Sequence, residues 1–163
     1  MRLFIAIRLS DEIRSSIAGM QARMRQRDVR GNYTPKENLH LTLAFIGEYS
    51  DPDRVLEIIS GLPFAPFELA LNGMGSFGDL WWVGLEESQA LKDYVRRLRH
   101  ALAEAGIPYD RKRFSPHITL LRRASRDLAV LGIQPPERVA MVADHASLMR
   151  SDRGKSGMIY TEL

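Results

Sequence analysis

A four-residue pattern that occurs twice constrains the fold of this chain more than any other sequence feature. Residues 39–43 and 116–120 both contain His-x-Thr-Leu, and the two histidines, His40 and His117, lie 77 positions apart in a chain of 163 residues. This separation is close to half of the chain, so it predicts two half-domains of similar construction. At roughly 150 residues per domain, the length predicts one compact bilobal domain with one motif in each lobe.

Each copy of the motif has the pattern of a β-strand. The residues that flank and separate the histidine and the threonine are apolar, so one face of the strand is predicted to be buried while His and Thr project together from the other. If the two lobes pack around a pseudo-twofold axis, both pairs face one central cleft. The predicted site then contains two imidazoles and two hydroxyls, from His40, Thr42, His117 and Thr119.

Hydrophobic periodicity along the rest of the chain predicts a mixture of helices and strands. Strands are predicted at residues 2–9, 39–46, 67–71, 80–85, 116–121, 139–148 and 158–163. Helices are predicted from a cap at Ser10 to about Arg27, over residues 52–59 and over residues 88–105. The glycine-rich segment Gly73–Asp79 is predicted to be a turn. An α+β fold follows.

The composition excludes several classes of function. The chain is 45% apolar and 26% charged, which excludes a disordered protein. It has no cysteine, which excludes disulfides, thiolate metal sites and a cysteine nucleophile. Neither a Walker phosphate-binding loop nor His-Glu-x-x-His occurs, so no ATP-dependent mechanism, metal or cofactor is predicted. No apolar run approaches the roughly 20 residues of a membrane span, and Arg8 comes too early for a signal peptide. We expect a cytoplasmic protein that has no membrane partner.

The positive charge is concentrated around the second motif. The net charge is only +3, but the chain has six basic residues and no acidic residue between Arg111 and Arg126, on both sides of His117. The planar guanidinium group suits bidentate contact with phosphate. This segment is therefore expected to attract a phosphate group.

Two histidines and two threonines suit displacement at a phosphodiester. A neutral imidazole can take a proton from an attacking hydroxyl while an imidazolium protonates the departing oxygen, and a pKa of about 6.5 lets both forms coexist near neutral pH. The hydroxyls of Thr42 and Thr119 would donate to nonbridging phosphate oxygens, where charge grows in the transition state. A ring-strained 2′,3′-cyclic phosphate suits this apparatus because positioning and proton transfer supply much of what the reaction requires.

Four segments of the chain resemble the 2H phosphoesterases, and among them the bacterial and archaeal RNA 2′,3′-cyclic phosphodiesterases, also called 2′-5′ RNA ligases. They are residues 2–7, 38–47, 80–85 and 114–122. The resemblance implies a bilobal α+β fold, with two antiparallel sheets in pseudo-twofold symmetry around a central cleft and helices outside. It also implies metal-independent hydrolysis of RNA 2′,3′-cyclic phosphate ends to 2′-phosphates, with slow reversible 2′-5′ joining. The expected partners are RNA ends, tRNA fragments among them, or cyclic nucleotides, and a monomer is expected.

The resemblance assigns catalytic roles to both motifs and a phosphate-binding role to an arginine. The implied catalytic residues are His40, Thr42, His117 and Thr119, and Arg122 matches the arginine that follows the second motif. Strict alternation along the strand would instead place Arg123 on the face of His117. A bulge or strand end after Leu121 would reconcile the two, and Arg122 is preferred.

Among the aromatic residues near the motifs, Phe4 has two possible roles, whereas Phe45 and at least one tryptophan are predicted to pack in the interior. Phe4 lies on the less apolar face of its strand, where it would either stack on a base of the substrate or pack as a partly buried aromatic. Phe45 shares the parity of Leu41 and Leu43 and is predicted to lie in the core. Trp81 and Trp82 are adjacent, so at least one of them is predicted to pack in the interior.

The proposed roles leave alternatives open. We expect His117 to act as the base and His40 as the acid. His100 and His145 have no partnering motif and are not predicted to be site residues, and the basic run Arg23–Arg30 is predicted to be solvated surface that can also touch RNA. A binding module of the same fold without turnover, or a hydrolase of another cyclic phosphodiester, would have the same motifs.

Overall fold

The computed structural model describes residues 1–163 and contains nine strands, three α-helices and one short 3₁₀ helix at Lys36–Asn38. The strands are β1 (Arg2–Arg8), β2 (Asn32–Tyr33), β3 (His40–Glu48), β4 (Phe67–Phe77), β5 (Leu80–Leu85), β6 (Ile118–Arg122), β7 (Ala140–Ala143), β8 (Ser147–Gly154) and β9 (Gly157–Glu162). The helices are α1 (Asp11–Gln26), α2 (Pro52–Ser60) and α3 (Gln89–Glu104).

The strands form two antiparallel sheets. One sheet has the order β3-β1-β8-β9, and we call this half of the molecule lobe 1. The other has the order β2-β6-β5-β4-β7, and we call that half lobe 2. The first motif lies on β3 in lobe 1, and the second begins at His117, immediately before β6 in lobe 2. The predicted α+β architecture with two antiparallel sheets is confirmed.

The two long helices tie the lobes together because each packs on the sheet that it does not follow in sequence. The apolar stripe Ile13, Ile17, Met20 and Met24 of α1, which follows β1 of lobe 1, packs in the core of lobe 2. Helix α3 follows β5 of lobe 2, yet its Tyr94 and Leu98 pack in the core of lobe 1. The Ser10 hydroxyl caps α1 by accepting from the backbone of Ile13 at 3.2 Å, as predicted.

Two sequence predictions about strands are wrong, and one short strand was not predicted. Strand β4 runs through the predicted turn as far as Phe77, and only Gly78 and Asp79 turn. Gly75 serves close approach instead of chain reversal, since a Cβ there would lie 2.3 Å from the ring of Trp82 on β5. The predicted strand 139–148 divides into β7 and β8, and β2 was not expected.

Candidate active site

The two motif strands meet where the lobes face each other. Cα atoms of β3 and β6 approach within 8 Å, and a cleft of about 690 Å³ opens between them. All four predicted catalytic side chains line this one cleft, together with Arg122; they are His40, Thr42, His117 and Thr119. The apolar residues between them, Leu41 and Ile118, are fully buried on the opposite strand faces.

Both imidazoles are oriented by the same backbone hydrogen bond. The Nδ1 atom of His40 lies 2.7 Å from the carbonyl oxygen of Asn38, and that of His117 lies 2.7 Å from the carbonyl oxygen of Ser115. A carbonyl only accepts, so Nδ1 carries the hydrogen in both rings. Each ring is therefore held in the tautomer that leaves Nε2 free to accept or deliver a proton in the cleft.

A β-bulge follows the threonine in each motif strand. In β3, Ile5 of β1 pairs with Ala44 and Ala6 pairs with Thr42, so the bulge falls at Leu43. In β6, Trp81 pairs with Leu121 and Trp82 pairs with Thr119, so the bulge falls at Leu120. An inserted residue reverses the alternation of side chains from that point on.

The bulges decide which later residues face the cleft. After the β3 bulge, Phe45 lies on the same face as Thr42 and lines the cleft, so its predicted place in the core is wrong. After the β6 bulge, Arg122 lines the cleft, while Arg123 does not. Arg123 instead has a φ of 54°, which turns the chain away from the strand. Phe45 and Arg122 occupy the same position, five residues after their histidines.

Each bulge is held by one side chain at the same place in the two long helices. The carbonyl of Leu43 accepts from Nε and Nη2 of Arg99 at 3.2 and 3.1 Å. The carbonyl of Leu120 accepts from Nε2 of the buried Gln21 at 3.0 Å. Gln21 and Arg99 are both the eleventh residue of their 16-residue helices. Helix α3 thus contacts the bulge of lobe 1 and helix α1 that of lobe 2, where the Leu120 carbonyl also accepts from the backbone N–H of Thr34 at 3.0 Å.

His40 lies among aromatic rings. The ring centroids of Phe4 and Tyr160 are 4.9 and 5.3 Å from that of His40, and Nε2 of His40 lies 2.8 Å from the hydroxyl of Thr42. Burial lowers the pKa of His40, and the charges of His117 and Arg122 lower it further, against the opposing effect of the Asn38 carbonyl. At neutral pH the unliganded His40 is therefore mostly neutral.

Phe4 forms the wall behind His40. Its side chain is only 3% exposed, and it packs with Ala6, Met149 and the ring of Tyr160. The ring lines the cleft, yet its neighbours leave little open face for a base. Of the two readings from the sequence, packing is the one that this burial supports.

His117 has a more open setting. The ring of Phe77 meets it edge-on at 5.3 Å, and that of Trp82 lies 6.3 Å away, but Phe77 is itself 50% exposed. The Nε2 atom of His117 makes no hydrogen bond to the protein, and neither does the hydroxyl of Thr119. Both groups are thus available to a bound phosphate.

The sequence did not reveal the part of the cleft wall that comes from the β8–β9 hairpin. Arg153, Met158 and Tyr160 of this hairpin line the cleft, and the side-chain amide of Asn38 donates to the carbonyl of Met158 at 2.8 Å. Only the pairing of β8 with β1 brings the hairpin there. No local pattern signals this long-range pairing, although Tyr160 lay within a predicted strand.

The other two histidines, His100 and His145, lie outside the cleft. His100 pairs with Glu104 on the surface of α3. His145 pairs with Asp144 in the connection between β7 and β8, although the sequence predicted a strand at this position. No group of three or more His, Asp or Glu side chains is placed to hold a metal ion. No helix has the length and apolar character needed to span a membrane.

Comparisons with known proteins agree with this geometry. The model of the 2′-5′ RNA ligase superfamily matches residues 9–155. An RNA 2′,3′-cyclic phosphodiesterase of Escherichia coli is 35% identical over 134 residues, which cover 79% of this chain and 76% of that protein. One of Geobacillus stearothermophilus is 31% identical over 130 residues, 74% of this chain, but the match spans only 41% of that longer protein. The crystal structure of E. coli LigT complexed with 3′-AMP superposes with a TM-score of 0.83 at 32% identity, covering 99% of this chain and 94% of that one.

Proposed function

The chain belongs to the 2′-5′ RNA ligase superfamily, and from this premise we propose that its cleft hydrolyses RNA 2′,3′-cyclic phosphate ends to 2′-phosphates. One observation carries the proposal. Two imidazoles whose Nδ1 atoms are both tied to backbone carbonyls line a single cleft with two threonine hydroxyls and an arginine. This set supplies a base, an acid and donors to an anion without any metal.

In the proposed reaction, the phosphate lies between the two threonines. Nε2 of His117 takes a proton from a water molecule, whose oxygen attacks phosphorus in line with the bond to O3′. That bond breaks, and the protonated Nε2 of His40 gives its proton to the departing O3′. The products are a 2′-phosphate and a free 3′-hydroxyl, and solvent restores the original protonation states. Arg122 and the hydroxyls of Thr42 and Thr119 offset the charge on the nonbridging oxygens.

The surroundings of the two rings bear on this assignment of roles. Nε2 of His117 makes no hydrogen bond to the protein, and the ring adjoins the half-exposed Phe77, so water reaches it readily. His40 is packed against Phe4 and Tyr160, where it meets only a group seated in the cleft. Its lowered pKa in the unliganded site disfavours the protonated form that an acid needs. An anionic phosphate beside the ring acts in the opposite direction and draws a proton to His40 when the substrate binds.

The direct test of function is a product analysis. A short RNA that ends in a 2′,3′-cyclic phosphate is incubated with the purified protein in EDTA, and its products are separated by chromatography against 2′- and 3′-phosphate standards. We expect the 2′-phosphate alone, at a rate that EDTA does not change. A 3′-phosphate product, or loss of turnover in EDTA, would contradict the proposed mechanism.

A substrate with a 3′-sulfur leaving group tests the roles of the histidines. Sulfur departs without protonation, so the variant that lacks the acid recovers most of its rate on this substrate, and the variant that lacks the base does not. We expect His40→Ala to be rescued and His117→Ala to remain slow. Rescue of His117→Ala alone would reverse the roles.

The same chemistry extends to related substrates. An RNA 5′-hydroxyl in place of water would give a 2′-5′ linkage, driven by the strain of the cyclic phosphate, and tRNA fragments and cyclic nucleotides have the same reacting group. A monomer suffices, since one chain supplies every group of the site. RNA as a substrate favours a cytoplasmic location.

A further inference from the structure

The catalytic cleft continues into a second, larger depression of about 1170 Å³ between the loop that precedes β2 and the tip of the β8–β9 hairpin. We call this depression the basic groove. The two cavities share six lining residues, which are Thr34, Asn38, Arg122, Arg153, Met158 and Tyr160. The groove is therefore continuous with the site of the proposed reaction, and a ligand can occupy both at once.

Positive charge dominates the basic groove. Its six cationic residues are Arg25, Arg30, Arg122, Arg123, Arg153 and Lys155. None of the six forms an ion pair with a carboxylate of the protein. Asp28 is the only acidic residue of the groove, and it lies 3.8 Å from Arg126. Six unpaired cations along one channel are typical of a surface that follows a phosphate backbone.

The floor of the groove is fixed before any ligand binds. Two hydrogen bonds join Arg30 to Ser125: the N–H of Ser125 donates to the carbonyl of Arg30 at 2.8 Å, and the N–H of Arg30 donates to the side-chain hydroxyl of Ser125 at 2.8 Å. Asn32 pairs with Arg122. A Cβ at Gly31 would lie 2.7 Å from the carbonyl of Arg122, so only glycine allows this approach.

The groove also offers aromatic surface. The guanidinium carbon of Arg25 lies 4.0 Å from the ring centroid of Tyr33, and the hydroxyl of Tyr33 donates to the carbonyl of Val29 at 2.6 Å. Tyr160 stands at the junction with the cleft. Single-strand binding sites combine such rings with cations that contact the backbone.

We propose that the basic groove binds the single-stranded RNA segment immediately 5′ of the reacting end. This inference rests on the proposed function, because a 2′,3′-cyclic phosphate occupies both the 2′ and 3′ oxygens of the last nucleotide. The strand can continue only through the 5′ oxygen of that nucleotide. With the cyclic phosphate in the cleft, the preceding phosphates have the basic groove as their adjoining channel of unpaired cations.

The test compares two substrates and two double variants. The groove variant, Arg30→Gln/Lys155→Gln, removes two cations that line the basic groove but not the catalytic cleft. The control variant, Arg23→Gln/Arg27→Gln, removes two cations that are close to Arg30 in sequence but line neither cavity. We expect the groove variant to lower kcat/KM for a cyclic-phosphate tetranucleotide on the order of tenfold at low salt. Its kcat/KM for a 2′,3′-cyclic mononucleotide should stay within twofold of wild type, and the control variant should resemble wild type on both.

Salt dependence gives an independent measure. The slope of log affinity against log salt for a fluorescent tetranucleotide with a 2′-phosphate end should fall in magnitude by about 1.4 in the groove variant, since each lost contact to a single strand contributes about 0.7. An equal loss on both substrates, or an unchanged slope and unchanged oligonucleotide kinetics, would overturn the proposal. Wild-type protein that turns over neither substrate would refute the proposed function. The affinity of the fluorescent tetranucleotide, measured by fluorescence anisotropy, would still test the groove.

Discussion

The half of the cleft around His40 and the half around His117 share a backbone design but differ in their surroundings. In both, Nδ1 of the histidine bonds to the carbonyl two residues earlier, and a bulge follows the threonine. In lobe 1 the bulge brings an aromatic ring, Phe45, to the cleft; in lobe 2 it brings a cation, Arg122. The backbone features that the halves share orient both rings, whereas the side chains that follow the bulges differ in charge.

The two copies of the motif lie in different environments. Burial among aromatic rings lowers the pKa of His40, while Nε2 of His117 makes no hydrogen bond to the protein and the neighbouring Phe77 is half-exposed. In the proposed mechanism His40 gives a proton and His117 takes one, so the two rings would perform separate tasks in one turnover.

Removal of either imidazole is expected to have the largest effect on activity. We expect His40→Ala and His117→Ala each to lower kcat by about 10²–10⁴, the usual contribution of a general acid or base. Steady-state kinetics on a 2′,3′-cyclic mononucleotide measure this loss. His145→Ala, which removes an exposed histidine outside the cleft, serves as the control and should keep the wild-type rate. A variant of either motif histidine with near-normal turnover would remove that residue from the mechanism.

The aromatic neighbours of the two rings should differ in their effect on stability. Phe4 is 3% exposed and Phe77 is 50% exposed. Phe4→Ala is expected to lower the free energy of unfolding by about 3–5 kcal/mol, since it empties a packed site. Phe77→Ala should change it by no more than about 0.5 kcal/mol. Urea unfolding measures the free energy of unfolding of both variants. Equal losses would mean that Phe4 and Phe77 are packed equally well.

The two threonine hydroxyls are expected to have similar effects on kcat but different effects on the pH dependence. Thr42→Val and Thr119→Val should each lower kcat by about 10²–10³ if both hydroxyls donate to the phosphate. Only Thr42 also contacts a histidine, at 2.8 Å. The pH dependence of kcat/KM should therefore shift in Thr42→Val and keep its wild-type shape in Thr119→Val. A shift in the Thr119 variant alone would contradict this account.

The smallest expected effect concerns stability against pH. Burial lowers the pKa of His40 in the folded protein below its value in the unfolded chain, so the unfolded chain binds more protons. Stability is thus lost as the pH falls from about 6.5 through the lowered folded-state pKa. Thermal unfolding between pH 7.5 and 5 should show a shallower decline in Tm for His40→Ala than for wild type. His117→Ala should retain most of the decline, since burial is the largest cause of the shift.

Local sequence patterns predicted the parts of the fold and site that depend on neighbouring residues. The alternation around His40 and His117 predicted the strand faces, and the Ser10 cap predicted the start of α1. The bulges at Leu43 and Leu120 could not be predicted, because each depends on the register of a partner strand and on a helix side chain from elsewhere in the chain. The placement of Phe45 failed for this reason.

Long-range pairing accounts for the remaining omissions. The β8–β9 hairpin reaches the cleft because β8 pairs with β1, at the opposite end of the chain. The exchange of α1 and α3 between the lobes is set by how the apolar stripes fit the two sheets. No short segment encodes either arrangement, so Tyr160, Arg153 and the basic groove became visible only in the folded structure.

The proposed mechanism requires His40 and His117 to act together on one phosphorus atom. The most direct measurement is kcat for wild type, His40→Ala, His117→Ala and the double variant on the same cyclic mononucleotide. Groups that act as a unit are strongly non-additive, so the double variant should be no more than about threefold slower than the slower single variant. A double variant whose loss equals the product of the two single losses would mean that the rings act independently, and would contradict the account.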